Sequence, residues 1–212
     1  MRRMILSLCL AALAWTPATA GPWPREEGRG FAALAWRGGA QAAGAYTSFY
    51  LDYGLGPRLT LGLDAGRARD GGGKAILFIQ RAGTAGRFRQ SWQLGLGARN
   101  RAAVLTPGLS LGLGFGDARR SGWLTADAVA PIGADGATDL KLDLTAGLSH
   151  PDGRKSILQL QSGRMGDDLP FAKLEASVAL PLGRRTSLTL GAFRGLGDND
   201  ERGVAIGLWQ RF

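Results

Sequence analysis

The sequence predicts an all-β fold, a transmembrane up-and-down antiparallel barrel of about twelve strands, and three observations support this prediction. The chain of 212 residues repeats a segment in which apolar and polar residues alternate with the two-residue period of a strand. Each segment ends in a turn rich in Gly, Pro, Asp or Arg. The segments exceed the usual strand of about 5–6 residues and match the roughly 9–11 residues that cross a bilayer.

The N-terminus has the composition of an export signal. Two arginines precede an apolar stretch, and the letters ATA form a small-residue cleavage site before Gly21. We therefore expect residues 1–20 to be a cleaved Sec signal peptide, residues 21–28 an N-terminal periplasmic segment and residues 29–212 the barrel. The only cysteine, Cys9, lies in the signal, so the mature chain has no thiol for a disulfide or a metal site.

The charge of the chain is moderately basic and dispersed. The formal net charge is +9, and removal of the signal peptide, which carries two arginines and no acid, leaves +7. The basic residues lie at segment ends and turns without a dense run, so nucleic acid is not an expected partner. Outer-membrane lipids, including anionic lipopolysaccharide, are the expected partners of these loops. The alternative is that the charges only solvate the loop tips.

Twelve segments carry the alternation, and their apolar residues fall on one parity. In the third segment, leucines alternate with threonine, glycine and aspartate. The predicted strands are Arg29–Gly38, Gly44–Gly54, Arg58–Gly66, Lys74–Ala82, Arg87–Ala98, Ala102–Gly114, Ser121–Val129, Thr138–Ser149, Arg154–Gly163, Pro170–Leu182, Arg185–Gly195 and Gly203–Phe212.

Pro107 interrupts this pattern in the sixth segment, because proline has no N–H to donate to a sheet ladder. Either a bulge accommodates Pro107, or the strand begins after it. The second case would reduce the count to ten strands. The connection ARNRAA is also short where the alternation of short and long connections predicts a long loop.

The polar faces favour a membrane barrel over a soluble sandwich or barrel. They consist mostly of Gly, Ser, Thr and Gln with isolated charges, whereas a water-exposed exterior would carry dense Lys and Glu. A basic side chain that faces lipid at the bilayer midplane costs about 2–4 kcal/mol, so the charges are expected to face the lumen. The predicted lumen-lining residues are Asp64, Gln93, Asp127, Lys141, Asp143, Gln159, Gln161, Lys173 and Glu175.

Two outcomes are open for this lumen. Barrels of about eight strands are filled by side chains and those of about sixteen enclose a channel, so twelve strands lie between. Lys141 with Asp143, and Lys173 with Glu175, share a strand and a face, and such pairs could fill the lumen without conduction. Inward glycines are expected to widen the bore, which favours a narrow channel. These glycines are Gly62, Gly95, Gly97, Gly112, Gly147, Gly191 and Gly207.

Aromatic residues on the apolar parity indicate where the membrane interface lies. Four of them fall at the ends of strands on the side that carries both termini, where an interfacial girdle is expected. The predicted membrane-interface aromatics are Tyr53, Phe88, Phe115 and Phe212.

The last ten residues, GVAIGLWQRF, alternate up to Phe212. They resemble the C-terminal strand of bacterial outer-membrane β-barrel proteins, in which a terminal Phe is read by the barrel-assembly machinery. The stretch YGLGPRLTLGLDAG is similar, over one hairpin, to outer-membrane proteins of the meta-pathway phenol-degradation type. The resemblance implies a Gram-negative outer membrane, periplasmic termini and the barrel-assembly machinery as a partner of the last strand.

The sequence contains no pattern for catalysis. His150, the single histidine, lies in the predicted tight turn SHPDGR, and the sequence has no G-x-S-x-G, metal triad or phosphate loop. We therefore expect no catalytic residue, metal or cofactor. An outer-membrane lipid hydrolase is the enzyme hypothesis, and replacement of His150 would test it. The favoured hypothesis is a small porin-like channel or transporter for polar or aromatic small solutes. The alternative is a non-conducting structural or ligand-binding barrel.

Overall fold

The computed structural model describes residues 21–39, 45–83, 86–116, 121–166, 169–197 and 201–212, so the predicted signal peptide lies outside the described residues. Among these residues, no helix is long and apolar enough to cross a membrane. The strands are β1 (Gly30–Gly39), β2 (Tyr46–Gly56), β3 (Leu59–Ala68), β4 (Gly73–Ala82), β5 (Phe88–Arg99), β6 (Ala102–Gly116), β7 (Ser121–Val129), β8 (Ile132–Gly133), β9 (Leu140–Ser149), β10 (Lys155–Arg164), β11 (Phe171–Pro181), β12 (Thr186–Leu196) and β13 (Arg202–Arg211).

Twelve long strands form a closed antiparallel barrel. Long strands pair with their neighbours in the chain, and β1 pairs with β13 to close the ring. β8 is a two-residue strand that pairs with β6 next to the end of β7. The predicted up-and-down barrel of about twelve strands is therefore confirmed, and the ten-strand alternative is wrong. The barrel has two ends, which we call the terminus end, where β1 begins and β13 finishes, and the opposite end.

Side chains alternate between an exposed outer face and a more buried inner face. On β5, the exposed fractions of Leu94 and Leu96 are 48% and 66%, whereas Gly95 between them is buried. On β4, Leu77 is 56% exposed and Phe78 beside it is 4% exposed. An exterior this apolar is unfavourable in water but matches the hydrocarbon of a bilayer. The arrangement is the inverse of a soluble sandwich, in which the apolar face points inward.

Pro107 lies inside β6, on its outer face, and requires neither a bulge nor a later start. The register with β5 runs unbroken through the pair Pro107–Leu94. The Pro107 carbonyl oxygen accepts a hydrogen bond from the Ala130 N–H at 3.0 Å, so the backbone polar groups of Pro107 point toward β7 rather than β5. β7 ends at Val129 and β8 begins at Ile132. The missing N–H therefore faces a break in the neighbouring strand.

The connection ARNRAA is as short as the sequence indicated. Asn100 and Arg101 are the two residues between β5 and β6, with φ angles of 48° and 71°. Positive φ at both central residues is the geometry of a type I′ hairpin, whose twist matches that of the flanking strands. The Asn100 side-chain oxygen also accepts a hydrogen bond from the Gly73 N–H at 2.9 Å. A long loop is therefore not needed at this position.

Phe212 completes the outer wall at the terminus end. Its N–H donates to the Gly30 carbonyl at 3.0 Å, and the Gly30 N–H donates to the Phe212 carbonyl at 2.8 Å. The Phe212 ring occupies the space that a side chain at Gly30 would fill. All four predicted interface aromatics lie at this end with exposed side chains: Tyr53, Phe88, Phe115 and Phe212.

Candidate channel interior

The nine side chains predicted to line the lumen all lie on the inner face of the wall. Glu175 is 6% exposed, and the others are half-buried, in contrast to the exposed leucines that alternate with them. They divide between two regions of the barrel. Asp64, Gln93 and Asp127 lie on β3, β5 and β7, and Lys141, Asp143, Gln159, Gln161, Lys173 and Glu175 lie on β9, β10 and β11.

Ion pairs connect most of these charges, and one of the two pairs that shared strands suggested is formed. Lys141 Nζ lies 2.9 Å from Asp143 Oδ2, as the shared strand indicated. Lys173 and Glu175 instead take other partners. Lys173 Nζ lies 3.5 Å from a carboxylate oxygen of Glu201, and Glu175 pairs with Arg37. Pairing across strands is favoured where it satisfies a buried carboxylate with a planar guanidinium.

Arg37 reaches Glu175 across the inner surface. Arg37 lies on β1 and Glu175 on β11, with β13 and β12 between them. The Arg37 Nε donates to Glu175 Oε2 at 2.8 Å, and a second guanidinium nitrogen donates to Oε1 at 3.4 Å. The register places Ala205 and Gly191 in the row of Arg37, so small side chains leave the path open. This pair narrows the interior.

The remaining predicted residues are held by local contacts. Asp64 pairs with Lys74 on the adjacent strand β4. Gln161 Nε2 donates to Gln159 Oε1 at 3.1 Å on the same strand. Gln93 packs against Gly108, where an added Cβ would lie 2.8 Å from Gln93 Cγ.

Aromatic rings form a second inner feature that the sequence analysis missed. Phe31 contacts Tyr50 and Trp209 with ring centroids 6.4 Å and 5.7 Å apart, and Tyr50 contacts Phe78 at 5.9 Å. We call Phe31, Tyr50, Phe78 and Trp209 the aromatic arc. Each member shares its parity with a polar neighbour two residues along, such as Asp52 after Tyr50. That signal was present, because aromatic residues at lipid-facing positions would have the opposite parity.

Cations lie over the inner aromatic faces. Arg25 lies 4.7 Å from the Phe31 centroid, and the ammonium of Lys173 lies 5.0 Å from the Phe193 centroid. Lys155 Nζ lies 5.5 Å from the Trp123 centroid and donates to Ser149 Oγ at 2.9 Å. Among the described residues, no carboxylate forms an ion pair with Lys155.

The inner glycines do not simply widen the bore. The Phe78 ring occupies the side-chain space of Gly62, and the Trp123 ring occupies that of Gly147. At Gly112, an added Cβ would lie 2.5 Å from Pro22 and 2.7 Å from Trp23. At these positions the expectation of a wider bore is wrong, because the absent side chain provides room for a ring.

The segment expected to be periplasmic, residues 21–28, enters the barrel at the terminus end. Pro22 is fully buried and Trp23 is half-buried. The Gly21 carbonyl oxygen accepts from Gln80 Nε2 at 2.9 Å, and Gln80 also donates to Ser91 Oγ at 2.6 Å. We call residues 21–28 the inner segment.

The inner segment lies against one side of the wall. The Arg25 side chain pairs with Asp52 on β2, and its backbone N–H donates to Thr60 Oγ1 at 3.2 Å on β3. Gly28 N–H donates to the Gly54 carbonyl at 3.0 Å where the chain leaves the interior. These contacts of the inner segment involve β2, β3, β4 and β6, whereas Lys155, Gln159 and Lys173 lie on the other side, on β10 and β11.

His150 lies on the outer parity, in the turn between β9 and β10. Its Nε2 lies 2.9 Å from Ser156 Oγ on β10. Ser156 and Leu148 line an apolar cavity of about 550 Å³ in the outer wall. The nearby Asp152 is bound to Arg154, whose backbone N–H donates to Oδ1 at 3.0 Å. That hydrogen bond, with the Arg154 side chain, lowers the pKa of Asp152. Among the described residues, no carboxylate hydrogen-bonds His150 to complete a triad.

The described residues contain no group of three or more His, Cys, Asp or Glu side chains that could hold a metal ion.

No protein-family model and no curated protein matches the sequence. Solved structures do match the fold. The KdgM porin aligns with a TM-score of 0.62 and 8% identity over 86% of this chain and 99% of that chain. The NanC porin aligns with a TM-score of 0.58 and 6% identity over 85% and 97%. An outer-membrane channel from Pseudomonas putida F1 aligns with a TM-score of 0.59 and 12% identity over 93% and 99%. The chain has the fold of these outer-membrane barrels.

Proposed function

We propose that this protein is a small outer-membrane channel that passes polar or aromatic small solutes, with a preference for anions. The observation that carries the proposal is the charged inner face on β9 to β11, within a barrel whose outer face is apolar. The inner segment contacts the other side of the wall, so the route runs past Lys155, Gln159 and Lys173. The similarity of the barrel's fold to those of the KdgM and NanC porins supports a channel function more than an enzyme function.

The preference for anions follows from Lys155, an inner-face cation that has no carboxylate partner among the described residues. Lys155 contacts a ring and a hydroxyl instead. Lys141 and Arg37 are each offset by an acid. Unpaired positive charge in a low-dielectric passage raises the local concentration of anions. The aromatic arc offers flat apolar faces to ring-containing solutes.

Conductance in planar bilayers tests the proposal. We expect purified protein to give discrete conductance steps and a reversal potential in a KCl gradient that indicates anion selectivity. Lys155→Gln is expected to shift the reversal potential toward zero, because it removes an interior charge. Arg154→Gln, one residue away but in the exposed turn, is the matched control and should leave the potential unchanged. A heat-modifiable, folded barrel without conductance steps would support the non-conducting structural or binding barrel instead.

We further propose that Phe212 is the assembly signal for the barrel-assembly machinery. Phe212→Ala is expected to lower the amount of barrel in outer-membrane fractions roughly tenfold, the effect of about 1.4 kcal/mol on recognition. Phe212→Trp keeps an aromatic ring over Gly30 and should assemble better than the alanine variant. The same Phe212→Ala chain refolded in detergent should still give a heat-modifiable band. Failure to refold there would assign the loss to the wall and not to recognition.

A further inference from the structure

Asp127 is an inner-face carboxylate that forms no ion pair among the described residues, and the hydroxyl groups of Ser110 and Thr125 are its hydrogen-bonding neighbours. Its Oδ1 is buried and has no hydrogen-bond partner among the described residues. Its register partners are Ser110 on β6 and Asp143 on β9. Asp143 already forms an ion pair with the ammonium group of Lys141. Two adjacent carboxylates therefore share one cation, and a buried carboxylate without a cation is costly.

Gly21, the first residue of the inner segment, lies directly against this carboxylate. An added Cβ at Gly21 would lie 2.9 Å from Asp127 Oδ1, 3.4 Å from Oδ2 and 3.1 Å from the Thr125 methyl group. The Gly21 nitrogen is bonded to the same Cα at about 1.46 Å, which places it within about 5.5 Å of Asp127 Oδ1, so a small rotation of a free N-terminal residue brings it to the carboxylate. The Gly21 carbonyl is held from the other side by Gln80. The residue is thus fixed between β4 and β7.

We propose that Asp127 is the binding site for the α-ammonium group that cleavage after Ala20 creates at Gly21. Hydrolysis of the Ala20–Gly21 peptide bond consumes one water, and leaves a carboxylate on Ala20 and an amine on Gly21. With an α-amino pKa of about 7.7–8.0, this amine takes up a proton at neutral pH. In the precursor, the same nitrogen is an uncharged amide. The inference rests on the expected signal-peptide cleavage and does not require that the barrel conducts.

Cleavage of the signal peptide then determines how strongly the inner segment binds to the barrel wall. A charge-assisted hydrogen bond is roughly twice as strong as a neutral one, and a site away from water strengthens it further. Pro22 and Trp23 pack over Gly112 and Arg25 pairs with Asp52, so the segment is fixed at its middle by contacts that need no cleavage. The ion pair with Asp127 adds the attachment at its tip. The precursor, in which the Gly21 nitrogen is an uncharged amide, cannot form this ion pair.

The reactivity of the Gly21 amine tests the proposal in the protein exported and processed by cells. The intact mass first identifies the N-terminal residue, with Gly21 expected. Near pH 7, an N-hydroxysuccinimide ester labels α-amines in preference to lysines, whose pKa is about 10.4. We expect the Gly21 amine to react roughly tenfold or more slowly in the folded barrel than in urea, because the ion pair protects it. Asp127→Asn should restore the fast rate in the folded barrel.

Two further variants make the result specific. Asp64→Asn removes an inner carboxylate that pairs with Lys74, and should leave the Gly21 rate slow. Gly21→Leu keeps Asp127 but places a side chain against it, and should speed labelling even if Asp127→Asn fails to fold. A mature chain that begins at another residue would overturn the proposal. A fast rate in the folded wild-type barrel, or an unchanged slow rate in Asp127→Asn, would overturn it as well.

Discussion

Leu144→Arg is expected to destabilise the barrel in lipid by about 2–4 kcal/mol, the cost of a basic side chain at the bilayer midplane. Leu144 lies in the middle of β9, and 41% of its surface is exposed on the outer face. The free energy of unfolding in urea, measured in phospholipid vesicles by tryptophan fluorescence, gives this loss directly. The effect is large because lipid offers no water and no counter-charge to the guanidinium.

The matched control is Gln161→Arg, which places the same side chain on the inner face at a similar depth. Leu144 pairs with Leu160, and Gln161 pairs with Asp143 on the same two strands. An arginine at position 161 lies next to the Asp143 carboxylate, so we expect a change within about 1 kcal/mol. Equal losses for the two variants would contradict the assignment of the outer face to lipid, and a larger loss for Gln161→Arg would reverse it.

Gly97→Val is expected to prevent formation of a stable barrel. Gly97 lies on the inner face of β5, where an added Cβ would clash with the Ala75 carbonyl oxygen and lie 2.7 Å from Ile76 Cα. Both atoms belong to the backbone of β4, so the wall itself has to move. Overpacking of this kind costs about 1–3 kcal/mol and more where the backbone cannot shift. Heat-modifiable gel mobility after refolding in detergent measures the folded fraction.

Gly183→Val is the control for that change. Gly183 lies in the turn between β11 and β12, and nothing lies within 4 Å of its side-chain position. We expect its stability to stay within about 0.5 kcal/mol of the wild type, as for exposed substitutions. If Gly97→Val refolded as well as Gly183→Val, the close approach of β5 to β4 would be wrong.

The face of the strand on which each side chain lies was predictable from the sequence, because it depends only on neighbouring residues. Side chains of a strand alternate with a period of two, so the leucines of β9 and the charges between them were separated before any fold was known. The same reasoning placed Asp64 and Glu175 on the face opposite the leucines. Strand length and turn spacing then indicated how many strands close the barrel. The outward direction of His150 was not predicted, because it depends on the hairpin geometry of the turn.

The ion-pair partners were not predictable from the sequence, because contacts inside a barrel depend on strand register and on closure of the barrel. Lys173 and Glu175 share a strand, yet Lys173 pairs with Glu201 and Glu175 with Arg37 from β1. The Arg37–Glu175 pair forms only because β13 and β12 bring β1 near β11. The position of Pro107 was not predictable for the same reason, because the break between β7 and β8 that it faces is formed by a later part of the chain.

The sequence by itself determined which side of each strand faces lipid and that the last strand, with Phe212, belongs to the barrel. Both conclusions follow from alternation and strand length, which are properties of consecutive residues. Only the tertiary structure decided that residues 21–28 turn back into the barrel and that Gly21 meets Asp127. A short segment without periodicity carries no local signal for its destination. Its position follows from the interior surface that the closed wall creates, with space over Gly112 and a carboxylate on β7 that forms no ion pair among the described residues.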